Sequence, residues 1–336
     1  MYAIKRELKL NNKETSLMRG LAGFRRWVYN FGLEMVIASW GFEGINLSDA
    51  KRIDTIKQVF TQVVMKQPEY AWIKKYPSTV YQSAFIALKK AFFRWRQGLS
   101  GFPKQQTKKR GDSFTVYKTS GIYPEKGKPA IPFTNRAVIK AGKKIQLPGL
   151  KEFRLKERID FTCSSQTFTV SRTADRWFVS FTLDAQKLPP IYHPIERVGV
   201  DIGVKNLATA SDGTRYAMPV STYRAKTKLS KLQWRNRHKI LGSKRLGIKA
   251  SNNARRYYVL LARHHARIGN IRRDTIHKMT TDLSSRVYCI RIDDLSVRGM
   301  MANHKLAGAV SDNCFGCISL LQISEKRAKM KKLVKL

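Results

Sequence analysis

The sequence predicts a multi-domain α/β protein, on three observations. Apolar residues recur first at helical spacing, then in short runs between turn residues, and last in a strand, helix, helix, strand succession. The 336 residues are 43% hydrophobic and 10% aromatic, which suffices for about two cores. Sixty-five Lys and Arg stand against 23 Asp and Glu, a net charge of +42. A compact chain with such a surplus repels itself, so the charge implies a polyanionic partner, of which nucleic acid is the commonest. A small-molecule enzyme has no use for that much charge, and a disordered binding tail would not carry this apolar content.

Each element follows from local pattern. Tyr2, Ile4, Leu8 and Leu10 alternate with polar neighbours, as in a half-buried strand. From about 12 to 41, Leu17, Leu21, Phe24, Val28, Phe31 and Met35 recur at helical spacing, and a second helical pattern runs from 48 to 65 with Ser48 as its cap. A third helix is expected after Pro77, capped by Ser78 or Thr79, and running through Ala84, Leu88 and Phe92 to Gly98. Trp27, Phe31, Phe92, Phe93 and Trp95 share that spacing and are expected in its core. Between 102 and 195 short apolar runs such as Phe114–Tyr117, Phe168–Val170 and Trp177–Phe181 alternate with Gly, Pro and Lys turns, the pattern of a small barrel or sandwich. Pro189, Pro190 and Pro194 mark a boundary. Beyond it, Val198, Val200 and Ile202 share one face of a strand from which Asp201 projects, and Leu207–Ala210 returns as its hairpin partner. Two basic helices, about 223–246 and 252–284, precede an apolar strand, Val287–Ile292, that ends at Asp293 and Asp294.

Cys163, Cys289, Cys314 and Cys317 are too few and too scattered for a disulfide framework, which suits a reducing compartment, and the charged start lacks the apolar core of a secretion signal. A cytoplasmic, nucleoid-associated protein with no membrane partner is expected. Cys314 and Cys317 form a single C-x-x-C without a second pair, so no zinc site is assigned to them. His264, His265 and His277 fall at no metal-ligand spacing and are assigned to RNA contact or packing.

Chemistry rests on the strand carboxylates. Hydrolysis of a phosphodiester by two metals needs several carboxylates converging from neighbouring strands, because two Mg²⁺ ions about 4 Å apart repel one another. An Asp on a first strand and an acid at the end of a fourth suits a sheet of the RNase H type. D-x-G alone is a weak signal, since many such Asp residues only brace a turn.

Three runs carry a further resemblance: VGVDIGVKNLATASDG around Asp201, ARHHARIGNIRRDTIHKMTTDL at 262–283 and IRIDDLSVRGMMANHKLAGAVSD at 290–312. With Gly101–Lys104 and Ser113–Val116 they resemble the TnpB, or OrfB, proteins of bacterial insertion sequences. That family comprises RNA-guided DNA nucleases with a helical recognition insertion, a wedge-like β-barrel and a RuvC nuclease domain. The resemblance implies residues 1–11 with 98–195 as the wedge barrel, 12–97 as the recognition domain and 196–336 as the RuvC-like domain. It implies a guide RNA and a double-stranded DNA target beside a short adjacent motif as partners.

Two departures accompany it. Asp201 stands at the family's first catalytic Asp, but the family's Glu of E-D-L is here Asp293, which is shorter by one methylene and retracts the carboxylate by roughly 1 Å, enough to spoil octahedral Mg²⁺ geometry. The sequence also stops at Leu336, before the family's four-cysteine zinc ribbon and third catalytic Asp. Asp201 and Asp293 are therefore expected to be vestigial, with no cofactor beyond the RNA, and the pattern resembles the nuclease-dead TnpB-like repressors, TldR. The expected function is guide-directed promoter occupancy that blocks transcription. Two alternatives stay open: a Mg²⁺-dependent endonuclease using Asp201, Asp293 and Asp294 or Asp312, and a general RNA-binding protein.

Nucleic-acid contacts are expected at three places. Lys104, Lys108, Lys109 and Arg110 make a dense basic loop suited to phosphates. Arg255, Arg256, Arg263, Arg267 and Arg273 stud the long second basic helix, which cannot aim all of its charges into one groove. Asn270, Arg273, Asp274 and His277 match a family motif and serve either nucleic acid or the helix–sheet contact. Ser78, Thr79, Tyr81 and Gln82 begin the helix that in this family faces the adjacent motif, and Gln can read adenine through two hydrogen bonds.

Overall fold

The structure is a computed structural model that describes residues 2–41, 47–108, 111–118, 137–183, 194–203, 206–243, 246–292, 296–303, 307–308 and 310. The chain divides into two compact units, Met1–Lys187 and Leu188–Leu336.

The first unit starts with strand β1 (Tyr2–Leu8) and helix α1 (Asn12–Ser39). Asn11 caps α1 in a reciprocal box: its Oδ1 accepts from the Glu14 amide at 2.8 Å, and its own amide donates to Glu14 Oε2 at 2.9 Å. That amide, helped by Lys151, holds the Glu14 carboxyl below its ordinary range. Met18, Leu21, Phe24, Val28, Leu33 and Val36 face inward on α1. Against them pack α2 (Asp49–Gln62), through Ile53, Ile56 and Phe60, and α3 (Ser78–Arg96), through Val80, Ala84, Phe85, Leu88 and Phe92. Where α1 meets α3, Gly32 lets the backbones close up: a β-carbon there would lie 2.9 Å from Leu88 and 3.1 Å from Phe85.

Two expectations fail on α3. Its cap is Pro77, with no side-chain hydrogen bond, so Ser78 is the first helical residue and Thr79 turns into the core. Phe93 is not core: it is 64% exposed, one position round the helix from the buried Phe92.

Strands β2 (Ser113–Tyr117), β3 (Ala137–Ile139), β4 (Gly142–Gln146), β5 (Glu152–Ile159), β6 (Cys163–Ser165), β7 (Thr167–Thr173) and β8 (Arg176–Leu183) complete this unit. Six strands form one antiparallel sheet in the order β2-β7-β8-β1-β5-β4, and β3 pairs with β6. The N-terminal strand lies inside the sheet, Tyr2 opposite Leu183 and Leu8 opposite both Trp177 and Leu155. The barrel expectation is corrected: among the described residues the sheet is open, with β2 and β4 as edges. Alternation gives each strand one buried face, as in β5, but closure is not needed to bury it. Phe114, Val116, Phe153, Phe168 and Phe181 join Phe24, Phe85 and Leu88 in one continuous core, and the helices take the place of a far barrel wall. A buried carboxylate fastens these layers: Asp112 pairs with Arg26 of α1 at 2.9 Å and Arg172 of β7 at 3.3 Å.

The second unit is built on a four-stranded sheet, β11-β10-β9-β12. Strand β9 (Ile195–Asp201) pairs antiparallel with β10 (Ala208–Ala210), which pairs antiparallel with β11 (Arg215–Tyr216). After helices α4 (Val220–Arg235) and α5 (Asn252–Arg286), β12 (Val287–Ile292) returns parallel to β9, and α6 (Val297–Ala302) follows. The expected strand, its hairpin partner and the strand at Val287–Ile292 are all present; β11 and the parallel pairing of β12 with β9 were not foreseen. Ser251 caps α5, accepting from the Ala254 amide at 3.1 Å. Ile276, Met279 and Leu283 of α5 cover Val198, Val200, Ile202 and Ala210.

Helix α4 is shorter than expected, ending at Arg235 instead of near 246. Two glycines shape the loop that follows. Gly247 has φ +66°, and Gly242 presses so closely on the backbone of Ile248–Ala250 that a β-carbon would lie 2.3 Å from the Ala250 amide nitrogen.

No helix among the described residues is long and apolar enough to cross a membrane.

Candidate nucleic-acid interface

Asp201 closes β9 on the face opposite the core. Val198 and Val200 are buried, whereas Gly199 and Asp201 are exposed, as a period of two requires. Gly199, Asp201, Thr209, Ser211, Cys289 and Arg291 border an open cleft of about 860 Å³. Ser211 fixes its floor: its Oγ accepts from the Gly199 amide at 3.1 Å, and its amide donates to the Gly199 carbonyl at 2.8 Å. In the parallel ladder Arg291 stands opposite Gly199, which has no side chain, so an exposed guanidinium shares this face with Asp201. Among the described residues no three His, Cys, Asp or Glu side chains gather to hold a metal ion. Asp293 and Asp294 lie outside the described residues, as do Asp312, Cys314 and Cys317. Among the described residues bordering this cleft, Asp201 supplies a carboxylate and Arg291 a cation beside it.

Behind the cleft, α5 is locked to the β10–β11 turn. Arg286 donates to Asp282 at 2.9 Å, to the Tyr216 hydroxyl at 2.9 Å and to Asp212 at 3.1 Å, and Tyr216 donates to Asp282 at 2.5 Å. Burial first, then the bond to Asp282, pushes the Tyr216 hydroxyl up to about 12. The Tyr216 and Arg286 bonds hold the Asp282 carboxyl below its ordinary value, and the Thr214 amide does the same for Asp212. Sequence reasoning missed this brace, because its members lie 70 residues apart.

Helix α5 presents the arginines. At about 100° per residue, Arg255, Arg256, Arg263, Arg267 and Arg273 fall within an arc of roughly 120°, opposite the buried Ala254, Tyr257, Ile268, Ile276, Met279 and Leu283. All five are exposed. At a rise of about 1.5 Å per residue they span roughly 27 Å of one stripe. Arg272 projects to the other side of the helix, so the charges of α5 are indeed not all aimed one way. Asn270, Arg273, Asp274 and His277 are exposed as well, so the helix–sheet contact is made by their apolar neighbours. The acid among them, Asp274, is taken by Lys278 at 2.8 Å.

In the first unit the loop after α3 is built, not slack. Asn30 accepts from the Gln106 amide at 2.8 Å and donates to its carbonyl at 3.1 Å, and Arg25 holds the Gln106 side chain at 3.0 Å. Phe102 packs edge-on to Trp95 at 5.1 Å, so it anchors the loop and is no platform for a base. Lys104 and Lys108 remain exposed; Lys109 and Arg110 lie outside the described residues. At the start of α3, Thr79 and Tyr81 are buried, which withdraws them from any groove. Ser78 is exposed, and Gln82, half-buried, accepts from the Tyr117 hydroxyl at 2.5 Å.

Comparison with known proteins agrees with this arrangement. The model of the OrfB_IS605 family, described as a probable transposase, matches residues 180–304, which hold β9 through α6. InsQ of Escherichia coli K12 is 29% identical over 312 residues, covering 93% of this chain and 70% of that protein. Over residues 180–304 the chain is thus similar to the OrfB_IS605 family. A second relative, from Streptomyces pristinaespiralis, is 27% identical over 318 residues, covering 93% of this chain and 72% of that protein. Both relatives are provisionally named RNA-guided DNA endonucleases. Among solved structures, Cas12f1 in complex with single-guide RNA and target DNA is similar at 13% identity and a TM-score of 0.49 over 92% of this chain and 72% of that one.

Proposed function

We propose that this chain binds RNA as a guide, occupies double-stranded DNA beside a short adjacent motif and represses transcription there without cutting. The observation that carries the binding half is the arginine stripe of α5, set on a chain of net charge +42. Its aligned, exposed guanidiniums suit a phosphate backbone, which positions a protein without reading sequence; pairing with the guide reads the sequence. Exchange of a DNA duplex for an RNA–DNA heteroduplex is nearly balanced, so such contacts tip it. The relatives' names support the same partners. At the start of α3, Ser78 and Gln82 are the polar candidates for reading the adjacent motif.

The non-cutting half is supported by two features. Asp293 stands where the family has Glu, and Arg291 shares the sheet face with Asp201, where its charge opposes metal entry. The runner-up, Mg²⁺-dependent cleavage, is favoured by the relatives' names and by Asp201 being exposed in an open cleft. Ribonucleoprotein reconstituted with its copurifying RNA, mixed with a matched duplex, separates the two: stable binding without strand scission is expected in Mg²⁺ buffer. Nicking that disappears in Asp201→Ala would establish the endonuclease instead.

A further inference from the structure

The turn between α4 and α5 departs from the rest of the molecule. No acidic residue occurs between Asp212 and Asp274, while seventeen Lys and Arg do. Into this cationic stretch are set large apolar side chains that nothing in the described residues covers. Trp234 is 65% exposed, Ile240 73% and Leu246 70%, with Tyr258 beside them in sequence on the first turns of α5. The loop that carries Ile240 and Leu246 is constructed, not collapsed: Ser243 and Ile248 form a β-bridge, and Gly242 seats against the backbone of Ile248–Ala250. Arg237 donates to the Trp234 carbonyl at 2.9 Å and lays its guanidinium 4.0 Å from the indole centroid. One face of the ring is thus backed by a fixed cation, and the remainder of the indole is open.

We infer that Trp234, backed by Arg237, is a stacking platform for unpaired nucleotides of a single-stranded RNA. Charge selects the class of partner. A second copy of a chain at +42 would bring like charge to this surface, whereas a polyanion neutralises it. The aromatic and apolar residues select unpaired bases, since a duplex buries its base faces while a single strand offers them to rings and guanidinium planes. RNA is chosen over single-stranded DNA because exposed apolar surface needs a resident cover. In the function proposed above, on which this step rests, the guide RNA is the resident polyanion and DNA the visitor.

The test uses the full chain and two fluorescein-labelled probes, a 20-nucleotide oligouridine and a 20-base-pair RNA duplex. Trp234→Ala is expected to weaken oligouridine binding about tenfold, within the range for one stacked base, and to leave duplex binding and the salt slope unchanged. Trp234→Phe is expected to retain most of the affinity. Equal oligouridine affinity in Trp234→Ala and the parent would overturn the inference, as would equal losses on both probes. Sedimentation closes the last route: a dimer of the parent chain that Trp234→Ala disperses would assign the patch to a second copy. Neither probe carries a guide, so failure here leaves programmed DNA binding standing, and failure of programmed binding leaves this measurement standing.

Discussion

The two units treat the same kinds of side chain in opposite ways. In the first, Phe24, Trp27, Phe60, Tyr76 and Phe85 form a chain of ring contacts in and against a core shared by three helices and a sheet. In the second, the core is one face of α5, with Val297 and Met300 of α6, on four strands, and Tyr223, Trp234, Tyr258 and Tyr288 remain exposed. A helical face becomes core only where a second layer lies against it. The lesson is that aromatic side chains in this chain are mostly gathered into the core in the first unit and mostly left at the surface in the second.

The largest expected effect tests that contrast directly. Phe85→Ala should cost about 3–5 kcal/mol of stability, whereas Tyr223→Ala, on a side chain more than half exposed, should stay within about 0.5 kcal/mol; denaturant titration compares them. Similar losses at the two sites would break the comparison. Asp112→Ala should rank alongside, at about 3–5 kcal/mol, because it strands the two guanidiniums that meet a carboxylate only 3% exposed. A loss under about 1 kcal/mol would show that water already screens that pair.

Next comes the cationic stripe. Replacing Arg255, Arg267 and Arg273 together by Gln should flatten the logarithmic salt dependence of duplex DNA binding by roughly 2.7, about 0.9 for each phosphate contact, with little change in melting temperature. An unaltered slope would remove these three from the interface.

The smallest effect is the pH response of the brace. The folded Tyr216 pKa is raised, so its contribution is complete below the ordinary value of 10 and fades as pH climbs toward about 12. The Asp282 pKa is lowered, so its contribution holds above the ordinary 3.8 and fades as pH falls through the lowered value. The gap in melting temperature between the parent and Tyr216→Phe should be flat near neutrality and narrow above pH 10. A gap independent of pH would dismiss the brace.

Much of this was legible in the chain itself. Alternation at Val198, Val200 and Ile202 gave β9 and its inward face, and the apolar repeat from Leu17 to Val28 gave α1, because both periods are local. Asp201 was legible as a strand-end carboxylate for the same reason. What failed was non-local. Strand alternation says that one face is buried but not by what, so an open sheet backed by helices reads like a barrel. Helical spacing put Phe93 with Phe92, although Phe93 sits about 100° further round the helix, past the layer that buries Phe92. The end of α4 depended on how closely Gly242 approaches the backbone six to eight residues on. Thr79 and Tyr81 were read from position in a helix, and burial was decided by α1 and α2.

One measurement bears most directly on the central claim that this protein grips a programmed duplex and leaves it whole. Reconstituted ribonucleoprotein is incubated with a matched, end-labelled duplex in Mg²⁺, and occupancy and strand integrity are read from the same sample. The account predicts a footprint over the target with both strands intact, unchanged when EDTA replaces Mg²⁺. Shortened strands that appear only in Mg²⁺ and vanish with Asp201→Ala would contradict it.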